Sequence, residues 1–213
     1  MPAVRAEIGS VKGLRVLDLG CGDGQLGQWL LEHGAQHYQG VDSSAEMLAL
    51  ARQSLAGRPA EVWPGRIEDF STTAGHVDLI VSRLALHYVQ PLDELMQRCG
   101  RWLAPGGRLL ITVVHPVITS HDARASSAES RTNWVVDDYF DSSPRPQSWL
   151  GAEVVFHHRT VEEYFTAVRS AGFEVTALRE CAPERVNFDT NTAEYDRRRR
   201  IPLFLLIAAH RPG

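Results

Sequence analysis

The chain alternates short apolar runs with stretches whose apolar residues recur at helical spacing. Leu14–Leu19 (LRVLDL) reads as a buried strand, followed by a glycine-rich loop and a helix with Leu26, Trp29 and Leu30 on one face. His37–Val41 is a second strand, ending at Asp42. Ser43-Ser44-Ala45-Glu46 has the spacing of a capping box, opening a helix with Met47, Leu48, Ala51 and Leu55 inward. Glu61–Trp63, stopped by Pro64-Gly65, is a short third strand and Val77–Ser82 a fourth. Leu92, Leu95, Met96, Cys99, Trp102 and Leu103 mark the clearest helix, after which Ala104-Pro105-Gly106-Gly107 turns the chain into a fifth strand, Arg108–Val114. Thr160–Glu163 is a second capping box, opening a helix with Val161, Tyr164, Phe165 and Val168 inward; Phe173–Leu178 and Leu203–Ala209 supply two late strands.

Strands alternating with helices predict an α/β fold, a doubly wound, mostly parallel sheet with helices on both faces. Ligands in such sheets bind beyond the carboxyl ends of the strands. The glycine loop, Asp42, Ser82 and His115 all sit at such ends and are expected to converge there. Residues 116–159 break the alternation; they are rich in Ser, Asp and Arg and carry Trp134, Tyr139, Phe140, Trp149 and Phe156. So long a connection in a compact domain is expected to be a lid or binding segment.

Composition narrows the class. A length of 213 residues suits one domain, and 44% hydrophobic with 23% charged residues is ordinary for a globular protein. The net charge of −4 gives no electrostatic reason to expect nucleic acid. Cys21, Cys99 and Cys181 lie far apart, which argues against a disulfide framework or zinc knuckle and suits a reducing compartment. The first residues, MPAVRAEIGS, hold no apolar signal segment, and the longest apolar run, Ile201–Ala209, is broken by Pro202 and too short to span a bilayer. A cytoplasmic protein with no membrane partner is expected.

The glycine loop can be read in two frames. Gly22-Asp23-Gly24-Gln25-Leu26-Gly27 fits the G-x-G-x-x-G of a dinucleotide turn, whereas Gly20-Cys21-Gly22-Asp23-Gly24 is a G-x-G-x-G loop introduced by Asp18. A pyrophosphate in the first frame would face two carboxylates, Asp18 and Asp23, which is costly in a partly buried site. A cationic ligand reverses that sign. S-adenosylmethionine carries an ammonium and a sulfonium and no phosphate, and the three glycines let the backbone approach it closely. Asp42 can accept from ribose hydroxyls under either reading. No G-K-[ST] follows, which removes a P-loop.

"VLDLGCGDG", "GVDSSAEMLALAR", "VDLIVSRLALHYV" and "LAPGGRLLIT" resemble, in order, the successive motifs of class I S-adenosylmethionine-dependent methyltransferases. "VDDYF", "WLGAEVVFHHRT", "YFTAVRSAGFEV" and "IPLFLL" further resemble a bacterial subgroup that methylates small molecules. The resemblance implies a Rossmann-like seven-stranded sheet whose last strand runs antiparallel. It implies a single methyltransferase domain over residues 1–213, with residues 116–159 as an acceptor-binding insert. Asp18, Gly20, Cys21, Gly22 and Gly24 fall on the methionine-binding loop, Asp42 on the ribose acceptor, and Ser43 and Met47 beside the adenine. Ile67 and Glu68 fall on the segment that touches the adenine edge, with Arg66 where the family commonly has a small or acidic residue. Ser82 falls where a strand-end carbonyl meets the cofactor's amino group.

Bland readings stand beside these. Met47 fits a core as well as an adenine contact, and Cys21 suits a loop needing a small residue better than a nucleophile. The run Asp196–Arg200 reads as a solvated charge run. His157-His158 on an extended segment point to opposite faces, so no metal is expected. Methyl transfer needs alignment above all, and a base only if the acceptor must lose a proton. His115, His87 and His158 are the candidate bases; Tyr88, Asp138, Tyr139, Trp149 and Arg159 are candidates for the acceptor pocket, with Arg159 the natural partner of a carboxylate. The partner expected is a small-molecule acceptor, for a monomer or homodimer. A catalytically silent cofactor binder, or an NAD(P)-dependent oxidoreductase, are the alternatives. Only 13 residues precede the first strand, where resembling enzymes carry further helices over the cofactor, so a late start or a partner's cover is expected.

Overall fold

The structure, a computed structural model, describes residues 2–120, 134–149, 152–188 and 190–213, with nothing said of the side chains of Pro2, 147–149 and Ala152. A helix α1 (Pro2–Ile8) precedes strand β1 (Arg15–Leu19), helix α2 (Gln25–Glu32), β2 (His37–Asp42), α3 (Ala45–Ser54), β3 (Ala60–Pro64) and β4 (Val77–Arg83). Helix α4 (Leu92–Trp102), β5 (Leu103–Val114) and the single turn α5 (Pro116–Thr119) lead into a hairpin of β6 (Pro144–Trp149) and β7 (Ala152–His157). The chain returns through α6 (Val161–Ser170), β8 (Glu174–Glu180), α7 (Thr192–Arg198) and β9 (Phe204–His210).

Seven strands form one sheet in the order β3-β2-β1-β4-β5-β9-β8, with the β6–β7 hairpin apart from it. The first five strands pair in parallel, and β9 runs antiparallel to both β5 and β8. The expected architecture, a mostly parallel sheet with a reversed last strand, is therefore the one observed. The central strands are apolar on both faces because each face is covered. Val4, Ile8, Leu26, Leu30, Leu48 and Ala51 of α1, α2 and α3 bury one face, together with Val16, Leu79 and Leu110 of the sheet. Leu95, Met96, Cys99, Tyr164 and Val168 of α4 and α6 bury the other, against Leu17, Ile80 and Ile111.

Local rules held unevenly. Thr160 and Glu163 form the expected capping box at the start of α6. At α3 the cap is Ser44, whose Oγ accepts from the Met47 amide at 3.2 Å, so Ser43 and Glu46 form no box. Ser44 wins because Asp42 Oδ1 already accepts its amide at 2.9 Å, which places the helix start one residue later. Phe165, expected inward, is 36% exposed, and Ala167 takes the buried position on that face of α6. The turn Ala104–Gly107 does not leave the sheet: β5 begins at Leu103, which pairs with Val77 ahead of a register shift.

Candidate active site

The carboxyl ends of β1, β2 and β4 enclose a cavity of about 750 Å³. Its floor is the loop after β1. Gly20 adopts φ +84°, and a Cβ there would lie 2.3 Å from the Ala85 Cβ, so only glycine lets the turn after β4 pack against the loop. Gly22 (φ +55°) has no atom within 4 Å of where a Cβ would stand, and it faces the cavity. The Gly20 and Cys21 amides both donate to the Val41 carbonyl, at 2.9 and 3.0 Å, tying the loop to β2. Asp42 completes the tie, accepting from the Gly22 amide at 2.8 Å through Oδ2 while Oδ1 holds Ser44. Ser43, Met47, Ile67 and Glu68 form the adjoining wall, where Glu68 pairs with Arg66 at 2.7 Å and its carbonyl accepts from Arg98.

Several predicted residues lie elsewhere. Asp18 is wholly buried beneath the loop and off the cavity wall: Oδ2 accepts from the Tyr38 hydroxyl at 2.8 Å and Oδ1 has no partner. Its oxygens do not line the cavity. Burial pushes its pKa up to about 6, against the lowering effects of Arg83 and the Tyr38 hydrogen bond. Cys21 is buried against Gly40, and burial raises its thiol far above the ordinary range, so it fills space behind the loop. Gly24 (φ +76°) packs on Ala51 and Ser54 of α3. Ser82 is buried with Oγ donating to the Leu19 carbonyl at 2.6 Å; the wall is formed instead by Arg83, Leu84 and Ala85 beyond it.

The three candidate histidines are similarly displaced, and none of them lines the cavity. His115 Nδ1 accepts from the Val117 amide at 3.1 Å and Nε2 lies 3.0 Å from Glu180 Oε1, so both ring nitrogens are engaged away from it. His158 is engaged on both sides too, with Nδ1 2.6 Å from Thr119 Oγ1 and Nε2 2.9 Å from the Tyr139 carbonyl. His87 is 2% exposed, packed against Tyr88 and Phe156, with Nδ1 unpartnered. Burial, helped by the charge of Arg159, pushes its pKa down to about 3, so it stays neutral. Burial lowers His115 and His158 as well.

Of the acceptor candidates, Tyr88 stands on the wall. Arg159 is spent on structure, donating to the Val89 and Gln90 carbonyls at 2.6 and 2.7 Å. Asp138 is exposed at φ +49°, its carbonyl accepting from Arg145. The Tyr139 hydroxyl lies 3.4 Å from the Val161 amide, which donates to it. The Trp149 side chain lies outside the described part of the structure. The wall residues that sequence reasoning missed are Arg83, Leu84, Ala85, Val89, Val154 and Val155, with Arg66 discounted. Val154 and Val155 come from the hairpin, inside the stretch flagged by its broken alternation. Leu84 (φ +55°) could not have been placed, because its conformation depends on donating to the Thr112 carbonyl of β5. Among the described residues no cluster of His, Cys, Asp or Glu is placed to hold a metal, and no helix is long and apolar enough to cross a membrane.

A parallel sheet with a reversed last strand, a glycine loop over a buried carboxylate and an acid closing β2 define a class I methyltransferase architecture. Residues 16–107 match the family described as "Methyltransferase domain". An S-adenosylmethionine-dependent methyltransferase from Mesorhizobium loti is 35% identical, with a TM-score of 0.90 over 99% of this chain and 96% of that one. A proposed S-adenosylmethionine-dependent methyltransferase from Listeria monocytogenes is 29% identical, also at 0.90, over 100% of this chain and 96% of that one. The malonyl-[acyl-carrier protein] O-methyltransferase of Enterobacter lignolyticus is 29% identical over 72% of this chain, which spans 55% of that protein. The chain belongs to the S-adenosylmethionine-dependent methyltransferases, and S-adenosylmethionine is its cofactor.

The residues present fit that cofactor. Its amino-acid end is a zwitterion, and the structure sets the unpartnered Asp18 Oδ1 and the unpartnered Arg83 Nε beneath and beside the loop, one group of each sign. Gly22 leaves open space where any side chain would project.

Proposed function

We propose that this chain methylates a small-molecule acceptor held between the glycine loop and the β6–β7 hairpin. The observation that carries the reading is the two-sided cavity. Gly20, Gly22, Asp42 and Met47 form one side; Tyr88, Val89, Val154 and Val155 form a mostly apolar other side. A mixed cleft of this size suits a small ligand. The net charge of −4 and the pairing of Arg197 and Arg198 with Glu194 favour such an acceptor over nucleic acid. Residues 116–159 act in this reading as the acceptor-binding insert of a single domain.

When bound, S-adenosylmethionine supplies a methyl carbon already activated by its sulfonium. The chain's own work is then to bind, align and exclude water. Asp42 accepts the ribose hydroxyls, the loop backbone approaches at Gly20 and Gly22, and the segment Ile67–Glu68 borders the base. The hairpin valines give the acceptor side its apolar character. Tyr88 is the phenol on that side placed to orient the acceptor. Among the described wall residues none is an imidazole.

The engagement of both ring nitrogens in His115 and in His158 favours a second reading, a fold that holds the cofactor without turnover. A screen of small amines, thiols, phenols and carboxylates, read as S-adenosylhomocysteine release, separates the two. Turnover with one class supports the proposal; tight cofactor binding with no turnover across the screen sinks it.

A further inference from the structure

Tyr38 is wholly buried in β2, a polar-tipped aromatic at the centre of the fold. A Cβ on Gly27 of α2 would lie 2.5 Å from the Tyr38 ring, and one on Gly40 would lie 3.2 Å from it. The ring is therefore clamped between helix and sheet by two positions that must lack a side chain. Its hydroxyl reaches Asp18 Oδ2 at 2.8 Å, leaving Oδ1 as the carboxylate's only free oxygen. Buried carboxylates are normally satisfied on both oxygens, so an open one beneath a ligand cavity marks a group held ready. Among the described residues, the charged and titratable groups acting on Asp18 besides Tyr38 are few. Arg83 at the end of β4 is of opposite sign, Asp42 at the end of β2 is of like sign, and the Cys21 thiol above stays protonated.

We propose that Tyr38 is a positioning residue for the cofactor: clamped beneath Gly27, its hydroxyl fixes the Asp18 carboxylate so that one negative charge, beside Arg83, is set under Gly20 and Gly22, where the zwitterionic end of the cofactor docks. This rests on the reading that the cavity holds the cofactor. Without the phenol, a carboxylate this deeply buried loses the hydrogen bond that favours its charged form, and it takes up a proton more readily. The burial that pushes Asp18 up to about 6 places this effect in an accessible pH range.

The test is S-adenosylhomocysteine affinity by calorimetry from pH 5.5 to 8.5, with melting temperatures read at each pH. In the unaltered protein, affinity should hold at the alkaline end and break near pH 6, then fall about tenfold per pH unit, as one linked proton requires. Tyr38→Phe keeps the ring and removes the hydroxyl. At pH 8 its affinity should stay within about threefold, while the break moves up by about one pH unit, a deficit of about fivefold at pH 6. Asp18→Asn should bind weakly throughout, with no break. A break at the same pH in Tyr38→Phe overturns the proposal. If that variant does not fold, a break that persists in Asp18→Asn overturns it instead. Asp42→Ala separates the two levels of reading. Lost affinity there with an unmoved Tyr38→Phe break removes only the role of Tyr38; unchanged affinity in both Asp42→Ala and Asp18→Asn removes the cavity as the cofactor site.

Discussion

The Gly22 amide donates to Asp42 Oδ2 at 2.8 Å, so the residue that closes β2 also holds the loop after β1. One carboxylate thus has a structural and a binding role at once, because its other oxygen fixes the Ser44 amide at the start of α3. Asp42→Ala removes both acceptors, and each amide left unpaired in a part-buried site costs about 1–3 kcal/mol. The expected outcome is a fall in melting temperature together with a fall of tenfold or more in S-adenosylhomocysteine affinity. Asp42→Asn, which retains one carbonyl acceptor, should lie between. A variant that loses binding with no loss of stability would show the loop to be held by other means.

Gly20 and Gly22 should separate the two kinds of loss. Both have positive φ, which costs a residue with a Cβ about 1–2 kcal/mol. At Gly20 the added Cβ also meets Ala85 at 2.3 Å, whereas at Gly22 it enters open cavity. Gly20→Ala is expected to lower the melting temperature markedly, with the turn after β4 displaced. Gly22→Ala should leave stability within about 2 kcal/mol and act mainly on cofactor affinity. Equal effects of the two on stability and on affinity would mean that the cavity does not open at Gly22.

The seven strands of the main sheet were legible because their period and length are local properties, the reversed last strand followed from the family resemblance, and the hairpin strands β6 and β7 were not foreseen. The loop side of the cavity was legible for a related reason: Gly20, Gly22, Asp42, Ser43 and Met47 lie within two short segments that a parallel sheet must bring together. The residues at other strand ends were not. A position at the carboxyl end of a strand fixes where the backbone is, while the side chain takes whichever partner the tertiary fold offers. His115 turns to Glu180 of β8 and His158 to Thr119, both partners distant in sequence. Arg159 was read as a carboxylate partner, yet two carbonyls of the turn after β4 occupy it. Helix α1 carries two buried residues, Val4 and Ile8, in too short a stretch for periodicity to show.

His115 is a strong test of that lesson. With Nδ1 accepting from the Val117 amide, the neutral ring carries its proton on Nε2 and donates it to Glu180. Such a ring has no free lone pair for an acceptor's proton. His115→Asn should therefore reduce turnover less than about tenfold, short of the 10²–10⁴ that loss of a general base brings. Its main effect should be on melting temperature, since the buried ring and its contact to Glu180 are lost while asparagine can still cap the turn Pro116–Thr119. A fall of a hundredfold in turnover with unchanged melting temperature and cofactor affinity would restore His115 as the base.

His87 should make the fold acid-sensitive. It lies sealed against Tyr88 and Phe156 with Nδ1 unpartnered, and burial holds its pKa down to about 3, against about 6.5 in the unfolded chain. Between those values the unfolded chain binds the extra proton, so stability rises with pH. The contribution is complete above about pH 6.5 and is lost as pH falls, by up to about 1.4 kcal/mol per unit. Asp18 acts in the opposite sense, because its folded pKa is raised: between about pH 6 and 4 the folded chain takes up the proton. The two are separated by comparing variants and not by the slope of the unaltered protein. His87→Phe keeps an aromatic ring in the box and removes the titrating nitrogen, leaving Asp18 unchanged. The stability difference between this variant and the parent, from urea denaturation at pH 7, 6, 5 and 4.5, should move steadily in favour of the variant as pH falls. A difference that stays constant across that range would mean that His87 is protonated in the folded protein or reached by water, and that its burial is not what keeps it neutral.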